Sequence, residues 1–492
     1  MTVLRTSQPI SWLDDVDANG VVINPRHELH GQSLAGVTLH VPCASGSTVG
    51  SDRIVNLAVR GKAPRRIVLG KVDPITLWGA ILGKIDLEMP GARRRPVDRS
   101  RLEALGIDPE IAELLARAGE LLGTEEFIPA DHVQIAGVSY KTITDTGLEL
   151  RRHFGSKFRF RARNVTINPA GMDLQDWKVL GVPERFAEKQ REVIDLYLRM
   201  GATPTVTCTP YLIGSLPAPF TDAFLSESSV VAYANSVLGV RTNRESGLST
   251  LLYAIAGYGP RYGLHLAENR HPRVRFDVGA DLQGTVDFSL LGYKVGELAR
   301  GRVPYLTGLG RRPTVEELKV FGAAAAASGS VDLYHLEGVT PEATARLISL
   351  DRIEETVAVS RPDLDEVKTA LNTGRAEEVD LVTFGCPHAS LVEVREIADL
   401  LEGRSLRHGT ELWVCTSRAV KDLAERLGYV RTVEAAGGHV VADTCMVVAP
   451  IEEMGHRTTA TNSGKAAKYL PRFCQQSVVF DSAEEIIRRV LA

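Results

Sequence analysis

Three cysteine-bearing stretches organise the chain: Thr207-Cys208-Thr209-Pro210, Gly385-Cys386-Pro387-His388-Ala389-Ser390 and Asp443-Thr444-Cys445-Met446. Each cysteine follows a run of residues that is typical of a β-strand. In an open parallel α/β sheet, the loops after the strands converge at the carboxyl ends of those strands. Thiolates delivered there from different strands can share one iron–sulfur cluster. The alternative is three reduced, buried cysteines, because a free cysteine behaves as a small apolar residue.

The composition is that of an ordinary globular protein with more than one domain. A chain of 492 residues, 44% hydrophobic and 24% charged, can bury two or more sizeable cores. The net charge of −4 gives no reason to expect a nucleic acid or a membrane surface as a partner. Six cysteines in so long a chain fit a reducing compartment better than a disulfide scaffold. Residues 1–14 lack an apolar signal core, and no apolar run reaches about 18 residues, so we expect a cytoplasmic protein.

Residues 1–92 are predicted to form a small β/α domain, because short strand-like runs alternate there with turn residues. These runs are Gly20–Ile23, Val37–Val41 and Arg66–Leu69. The charged segment 93–100 holds proline and three consecutive arginines with no periodicity, which is typical of a linker. Residues 101–492 then form the larger part of the protein.

A Gly/Ser-rich loop, Ala44–Ser51, precedes a predicted helix over Asp52–Arg60 in the small domain. The start of a helix offers free backbone N–H groups and the positive end of the helix dipole. The hydroxyl of Ser47, held in such a loop, is better placed than a free serine to lose its proton. The alternative is that Ser47 or Ser51 simply caps the helix.

The larger part begins with a helix predicted over Pro109–Leu122, followed by a short strand over Val133–Ala136. That strand ends in the motif Gly137-Val138-Ser139-Tyr140-Lys141-Thr142. A lysine and a tyrosine beside a glycine turn can bind a carboxylate or assist proton transfer. Both can equally be surface residues.

Two arginines, Arg241 and Arg244, lie in a stretch rich in polar groups and small residues. The guanidinium fork suits bidentate recognition of a carboxylate. The alternative is a structural ion pair, for example of Arg244 with Glu245 or Glu227.

From Leu364 onward, strands and helices alternate at short intervals, which predicts βαβαβ units and a parallel sheet. Cys415 also ends one of these strands, so its position alone does not separate it from Cys386 and Cys445. Neither a dinucleotide-binding nor a phosphate-binding glycine motif occurs. The predicted strands are 379–384, 411–415 and 439–442, and the predicted helices are 391–402 and 418–428.

Further motifs occur in a fixed order along the chain: Pro25-Arg26-His27, Leu29–Gly36, Gly46–Ser51, Gly137–Thr142, Ala234–Gly239, Arg241–Glu245, Gly385–Ser390, Asp443–Met446 and Thr461–Ala467. Through these motifs, and over nearly its whole length, the chain resembles aconitase X, a divergent branch of the aconitase superfamily. The resemblance implies an aconitase-like, multi-lobed catalytic domain over residues 101–492, built from parallel βαβ units. It also implies a small N-terminal β/α swivel domain over residues 1–92.

The resemblance further implies a hydro-lyase with a cysteine-bound iron–sulfur cluster of open nuclearity. Cys208, Cys386 and Cys445 match its ligand positions, and an open iron site would act as a Lewis acid on the substrate hydroxyl. Ser47 matches the serine that removes the α-proton, with Lys141 as the next candidate base. A CxxC pair, as in aconitase proper, is missing from the sequence, so the cluster geometry of that enzyme does not carry over. The candidate substrate-binding residues are Ser139, Tyr140, Asn235, Arg241, Asn243 and Lys465.

Two substrates are consistent with the resemblance. Single-chain members resemble cis-3-hydroxy-L-proline dehydratases, whereas two-subunit members resemble mevalonate 5-phosphate dehydratases. The fused chain favours hydroxyproline, and the three matching cysteines favour the phosphorylated substrate. Ser45 stands where the family commonly has arginine, which weakens a phosphate role for this loop, so hydroxyproline is the expected substrate.

A protein of another class remains an alternative, namely a non-catalytic iron–sulfur sensor or a nucleic-acid-binding protein. The near-neutral charge and the lack of a basic stripe argue against it. We therefore expect a small hydroxy acid as the partner, no nucleic acid or membrane, and a monomer or homo-oligomer.

Overall fold

A computed structural model describes residues 2–90, 94–215 and 217–492. Within these residues, four sheets are parallel and one two-stranded sheet is antiparallel. Helices connect the parallel strands, which confirms the predicted α/β class. The described part of the chain contains no helix both long enough and apolar enough to cross a membrane.

The swivel domain, residues 2–90, is a four-stranded parallel sheet in the order β1-β2-β3-β4 with two helices. The predicted strand at Gly20–Ile23 is wrong: Val21 and Val22 form only isolated bridges, because their partners are loop residues that continue no ladder. The elements are β1 (Val3–Arg5), β2 (Thr38–Val41), α1 (Gly50–Val59), β3 (Arg66–Leu69), α2 (Pro74–Leu82) and β4 (Asp86–Glu88).

The predicted linker is only partly described. Met1, Gly91, Ala92 and Arg93, which fall within the predicted boundaries, lie outside the described residues. Residues 94–98 have no regular structure, and the last two linker positions already belong to the helix that begins at Arg99.

Lobe 1, residues 94–270, holds a parallel sheet in the order β7-β6-β8 and an antiparallel pair of β5 with β9. The helix predicted over Pro109–Leu122 is confirmed. Its elements are α3 (Arg99–Ala104), α4 (Pro109–Leu122), β5 (Phe127–Pro129), β6 (His132–Ile135), α5 (Tyr140–Lys157), β7 (Asn164–Ile167), α6 (Glu184–Met200), β8 (Phe224–Leu225), α7 (Ser228–Ser236), α8 (Gly247–Ala256) and β9 (Tyr258–Pro260).

Lobe 2, residues 271–375, is a parallel sheet in the order β12-β11-β10-β13. Its alanine-rich helix α10 is buried against α9, which small side chains permit. The elements are β10 (Val274–Val278), α9 (Gly284–Ala299), β11 (Pro304–Thr307), α10 (Val315–Gly329), β12 (His335–Leu336), α11 (Pro341–Thr344), β13 (Glu355–Val359) and α12 (Arg361–Leu371).

Lobe 3, residues 376–492, is a five-stranded parallel sheet in the order β16-β15-β14-β17-β18, which confirms the predicted βαβαβ units. Its elements are β14 (Leu381–Ala389), α13 (Leu391–Leu401), β15 (Glu411–Thr416), α14 (Arg418–Arg426), α15 (Tyr429–Ala435), β16 (His439–Ala442), β17 (Thr458–Thr461), α16 (Gly464–Phe473), β18 (Ser477–Phe480) and α17 (Ala483–Val490). Short 3-10 helices lie at Pro210–Ile213, Gly263–His265, Ala267–Asn269, Leu350–Arg352 and Ala376–Glu378.

The swivel domain and lobe 1 share one continuous apolar core, whereas a second core runs through all three lobes. Trp78 of α2 shows the first junction: its Nε1 donates to the hydroxyl of Tyr253 in α8 at 3.2 Å. The two rings meet edge to face at 5.9 Å. The swivel domain is therefore packed firmly onto lobe 1.

Candidate active site

The three cysteine loops converge, although not all of them follow strands. Cys445 comes shortly after β16, as predicted. Cys386 was expected after a strand but lies inside β14, in the part where its pairing with β15 shifts register. The predicted strand into Cys208 is wrong: only Thr203 forms a bridge there, and the rest of the segment is a loop docked on the end of β7. The segment that carries Cys208 is held in place by the Thr207 N–H, which donates to the Ile167 carbonyl at 3.1 Å.

One buried histidine ties the three loops together. The Nε2 of His388 lies 2.9 Å from the Thr444 carbonyl, which can only accept, so Nε2 carries the proton. Its Nδ1 then accepts from the hydroxyl of Thr207 at 2.9 Å. The His388 backbone N–H points at the sulfur of Cys208 at 3.2 Å. Burial lowers the pKa of His388 to about 4, so the ring stays neutral.

The thiols lie in a buried site, with the ammonium of Lys465 close to them. Burial raises the pKa of Cys386 to about 12 and also raises the pKa of Cys208 and Cys445, while the ammonium of Lys465 lowers all three. The carboxylate of Glu227 and the nearby sulfurs raise the pKa of Lys465 despite its burial. Lys465 makes a close ion pair with Glu227. A charged lysine thus favours negative charge on the sulfurs.

The donor set suits a soft metal centre. Thiolates are the ligands preferred by iron–sulfur clusters, and a bound cation would offset the burial that now keeps these thiols protonated. The hydroxyls of Tyr211 and Thr444, both buried near the cysteines, have no hydrogen-bond partner within the described residues. Among the same residues, no three His, Cys, Asp or Glu side chains could hold a single metal ion. Cysteines that share a cluster bind different irons and need not meet at one point.

Ser47 does not cap the helix that follows it. The first residue before α1 is Val49, which makes no side-chain capping bond, and the Ser47 hydroxyl lies 3.5 Å from the Val49 N–H. The loop is instead held from lobe 1. The Arg244 Nη1 donates to the Gly46 carbonyl at 2.9 Å. Gly46 has φ +72°, and a Cβ there would lie 2.6 Å from the Ser11 hydroxyl, so only glycine fits.

Helix α16 connects the thiols to the swivel domain. Ser463, just before the helix, donates its hydroxyl to the Cys386 carbonyl, and Lys465 follows in the first turn. At the other end, Arg472 Nη1 donates to Asp15 Oδ1 of the swivel domain at 2.9 Å. Between them, Tyr469 is buried with both Asp14 and Lys465 among its charged neighbours. One helix therefore has the cysteine site at one end and the domain of Ser47 at the other.

A cavity of about 1320 Å³ opens between the swivel domain and lobes 1 and 2. Asn243 and Arg244 line it beside Ser45. Arg244 is buried, and its Nε lies 3.3 Å from Asp332 Oδ1. Arg244 thus forms an ion pair within the protein, as the alternative interpretation expected, but its partner is Asp332 and not Glu245 or Glu227.

The other predicted site residues are placed differently. Ser139 directly precedes α5 and donates its hydroxyl to the Val448 carbonyl, and Tyr140 begins the helix and donates its hydroxyl to Asp145. Lys141 pairs with Glu452 at 2.7 Å and also donates to the Ala449 carbonyl. Both the amide nitrogen and the oxygen of Asn235 bond within the protein. Arg241 lies outside the cavity lining, with a buried Nε that lacks a partner among the described residues.

Sequence reasoning missed the roles of several neighbours. His388 stood in a quoted motif, whereas Glu227 was considered only as a possible partner of Arg244. The fold shows that His388 joins the cysteine loops and that Glu227 pairs with Lys465. Asp14 carried no signal in the sequence, yet burial raises its pKa to about 6 beside the Gly46 loop. Helical spacing from Lys465 would have identified Tyr469 at position i+4.

Family models match almost the whole chain. They correspond to the aconitase X swivel domain at residues 2–99, its first domain at 107–268, its second at 272–369 and its third at 379–492. A crystal structure of holo-form aconitase X from Thermococcus kodakaraensis covers 80% of this chain and 98% of its own, with 41% identity and a TM-score of 0.73.

Two named relatives are dehydratases. The phosphomevalonate dehydratase large subunit of Methanothermobacter thermautotrophicus is 45% identical over 76% of this chain and 92% of its own. The cis-3-hydroxy-L-proline dehydratase of Pseudomonas aeruginosa is 32% identical over 96% of this chain and 91% of its own. The chain is therefore a hydro-lyase that belongs to the aconitase X family.

Proposed function

We propose that the protein is an iron–sulfur-dependent dehydratase of mevalonate 5-phosphate. The observation that carries this proposal is the grouping of Cys208, Cys386 and Cys445 around Lys465, with the swivel domain of Ser47 at the far end of the same helix. This helix links the cysteine site to the domain of Ser47, which supports the proposal that both act on one substrate. It favours an enzyme over a sensor or nucleic-acid-binding protein.

The three cysteines would hold the cluster, leaving a position for the substrate. When bound, the cluster supplies a Lewis acid that makes the substrate hydroxyl a better leaving group. Ser47 would take the proton from the carbon next to the carboxylate. The hydroxyl then leaves from the neighbouring carbon, and the electron pair of the broken C–H bond forms the double bond. Lys465, charged and buried, offsets negative charge near the thiolates.

Arg244 is a stronger candidate than Arg241 for holding the substrate carboxylate. Arg244 lines the cavity and donates to the backbone of the Ser47 loop, so an anion bound to its guanidinium would lie near Ser47. It also places a cation beside Ser45, where the family commonly has arginine. The roles of Lys141, Arg241 and the remaining predicted residues stay predictions.

Replacing Arg244 by lysine is expected to raise KM roughly tenfold or more, because lysine keeps the charge but loses the two-pronged donor geometry. Arg241→Lys is the matched control and should change KM little. Steady-state kinetics with each candidate substrate would measure both variants. If Arg241→Lys weakens binding and Arg244→Lys does not, Arg241 holds the carboxylate, as the sequence predicted.

Sequence identity favours the phosphorylated substrate. The chain is 45% identical to the phosphomevalonate dehydratase large subunit and 32% identical to the cis-3-hydroxy-L-proline dehydratase. The three cysteines point the same way. The second candidate is cis-3-hydroxy-L-proline, the substrate first expected from the fused chain. This candidate is supported by the length of the match, because the similarity to the hydroxyproline enzyme extends over 96% of this chain.

A side-by-side assay separates the two substrates. The anaerobically reconstituted protein is incubated with each compound, and ultraviolet absorbance and mass spectrometry follow the loss of one water molecule. We expect turnover of mevalonate 5-phosphate with kcat/KM at least about tenfold higher than for hydroxyproline, a difference of roughly 1.4 kcal/mol in transition-state binding. The reverse preference would transfer the proposal to hydroxyproline, and turnover of neither would refute both assignments.

A further inference from the structure

We propose that a buried ion pair between Asp52 and Arg151 is a positioning device that sets the orientation of the helix behind Ser47. Asp52 lies in the first turn of α1, and Arg151 lies in α5 of lobe 1. The Arg151 Nη1 donates to Asp52 Oδ1 at 2.6 Å, and the two side chains are 0% and 1% exposed. Part of this inference, the effect on catalysis, rests on the role proposed for Ser47.

Lobe 1 holds the guanidinium of Arg151 in place independently of the swivel domain. Its Nε donates to the hydroxyl of Tyr197 at 2.9 Å, and its Nη1 also donates to the Gly147 carbonyl at 3.1 Å. The Tyr197 hydroxyl in turn donates to the Gly137 carbonyl at 3.3 Å. Arg151 is therefore a fixed point to which the carboxylate of Asp52 docks.

Two glycines leave the room that the ion pair needs. A Cβ at Gly137 would lie 2.8 Å from Arg151 Nη2, and a Cβ at Gly147 would lie 3.1 Å from both Arg151 Nη1 and Asp52 Oδ1. Gly137 also has φ +76°, which disfavours any other residue. The glycine of the motif 137–142 thus makes space for a contact between domains, whereas the sequence suggested a substrate-binding turn.

A second polar contact lies one helical turn further along α1. The Asn56 side-chain nitrogen donates to the hydroxyls of Thr144 and Thr146 at 3.1 and 2.9 Å. Positions 52 and 56 lie on one face of a helix. Two contacts on that face fix the rotation of α1 and its shift along its axis. Since the loop of Ser47 leads directly into α1, they also fix where that loop can lie.

A buried ion pair at this interface is better suited to fixing the orientation of α1 than to stabilising the fold. Burying two charges costs desolvation, so apolar side chains of similar size often stabilise an interface equally well. Here Asp52 Oδ2 and Arg151 Nη2 have no partner among the described residues, which makes the contact costlier still. However, a hydrogen-bonded ion pair permits only a narrow range of angles between donor and acceptor, whereas apolar packing tolerates many relative orientations.

The test compares four full-length variants with the wild-type protein after anaerobic reconstitution. They are Asp52→Asn, Arg151→Lys, the double variant Asp52→Asn/Arg151→Met, and Arg152→Gln. The last is the matched control, because Arg152 is the sequence neighbour that pairs with Glu192 at the surface of lobe 1. Measurements are kcat, KM, the melting temperature and hydrogen–deuterium exchange of residues 45–52.

Asp52→Asn should speed exchange in residues 45–52 and lower kcat roughly 10²-fold with a smaller change in KM, because the reacting groups lose alignment. Arg151→Lys keeps the charges and should retain part of kcat. The double variant removes the buried charges and should regain the melting temperature, while exchange stays fast and kcat stays low. Arg152→Gln should match the wild type.

Three results would overturn the proposal. The first is a folded Asp52→Asn with wild-type exchange and kcat. The second is a double variant that recovers kcat together with the melting temperature, which would make the pair purely structural. The third is a wild-type kcat in Arg151→Lys, which decides the question if Asp52→Asn does not fold. If Ser47→Ala proved active, the exchange data alone would still decide whether the pair orients α1.

Discussion

Replacing any one of Cys208, Cys386 and Cys445 by alanine is expected to abolish both the brown cluster chromophore and turnover. Each thiol is buried beside Lys465, and each loop is held in place through His388 or Ser463. Loss of one ligand from a three-cysteine site leaves too few thiolates to retain the iron. Visible absorbance, iron content and activity after anaerobic reconstitution measure the outcome.

Cys415 and Cys474 provide the matched controls for this experiment. Cys415 is buried close enough to interact with all three thiols, but it lies within the ladder of β15 and β16 instead of a loop. The Cys474 thiol contacts Lys141 at 3.3 Å, away from Lys465. Alanine at either position should leave the chromophore and the activity. Bleaching by Cys415→Ala alone would show that the ligand assignment is wrong.

Ser47→Ala is expected to remove turnover while leaving the fold and the cluster spectrum unchanged. A capping serine stabilises its helix by about 1 kcal/mol and has little effect on chemistry. Val49, not Ser47, directly precedes α1, and the Ser47 hydroxyl accepts only a long 3.5 Å hydrogen bond from the Val49 N–H, so its removal should barely move the melting temperature. Loss of a general base should instead lower kcat roughly 10²–10⁴-fold. Solvent-deuterium exchange at the substrate α-carbon should fall with it.

Ser51→Ala is the control for Ser47→Ala. The Ser51 hydroxyl is buried in the first turn of α1 without a hydrogen-bond partner in the described structure. Its removal should therefore change neither exchange nor turnover appreciably. Near-normal α-carbon exchange in Ser47→Ala would move the base elsewhere. Lys141, which forms an ion pair with Glu452, would then be tested next.

Local patterns in the sequence were sufficient for three strands of lobe 3, β14, β15 and β16, and for the helices α13 and α14. These strands and helices follow apolar runs and short turns, and parallel pairing follows from their alternation. The same reasoning predicted a strand before Cys208 that the structure does not contain. That segment is held by hydrogen bonds to β7 and to His388, which are distant in sequence. Periodicity within a short window carries no information about such contacts.

The sequence predicted which types of residue form the candidate site better than it predicted which of these residues contact one another. The cysteines and Ser47 stood out by their chemistry and their loops, whereas Lys465 was named only through the resemblance to aconitase X. Arg241 and Arg244 could not be ranked from the sequence, since both occupy the same polar stretch. Only the fold separates them, because it turns Arg244 towards the Gly46 carbonyl and the cavity. Asp52 gave no signal, because a first-turn aspartate is ordinary in a surface helix.

The apolar core shared by the swivel domain and lobe 1 determines by which route a substrate can reach the interior. Swinging the swivel domain away from lobe 1 would expose Trp78 and Tyr253 to water, at about 25 cal/mol for each Å² of apolar surface. Diffusion through the existing cavity exposes none of that surface. Arg244 lies in the wall of that cavity together with Ser45. As a buried cation, it would favour negatively charged molecules among those that the cavity admits.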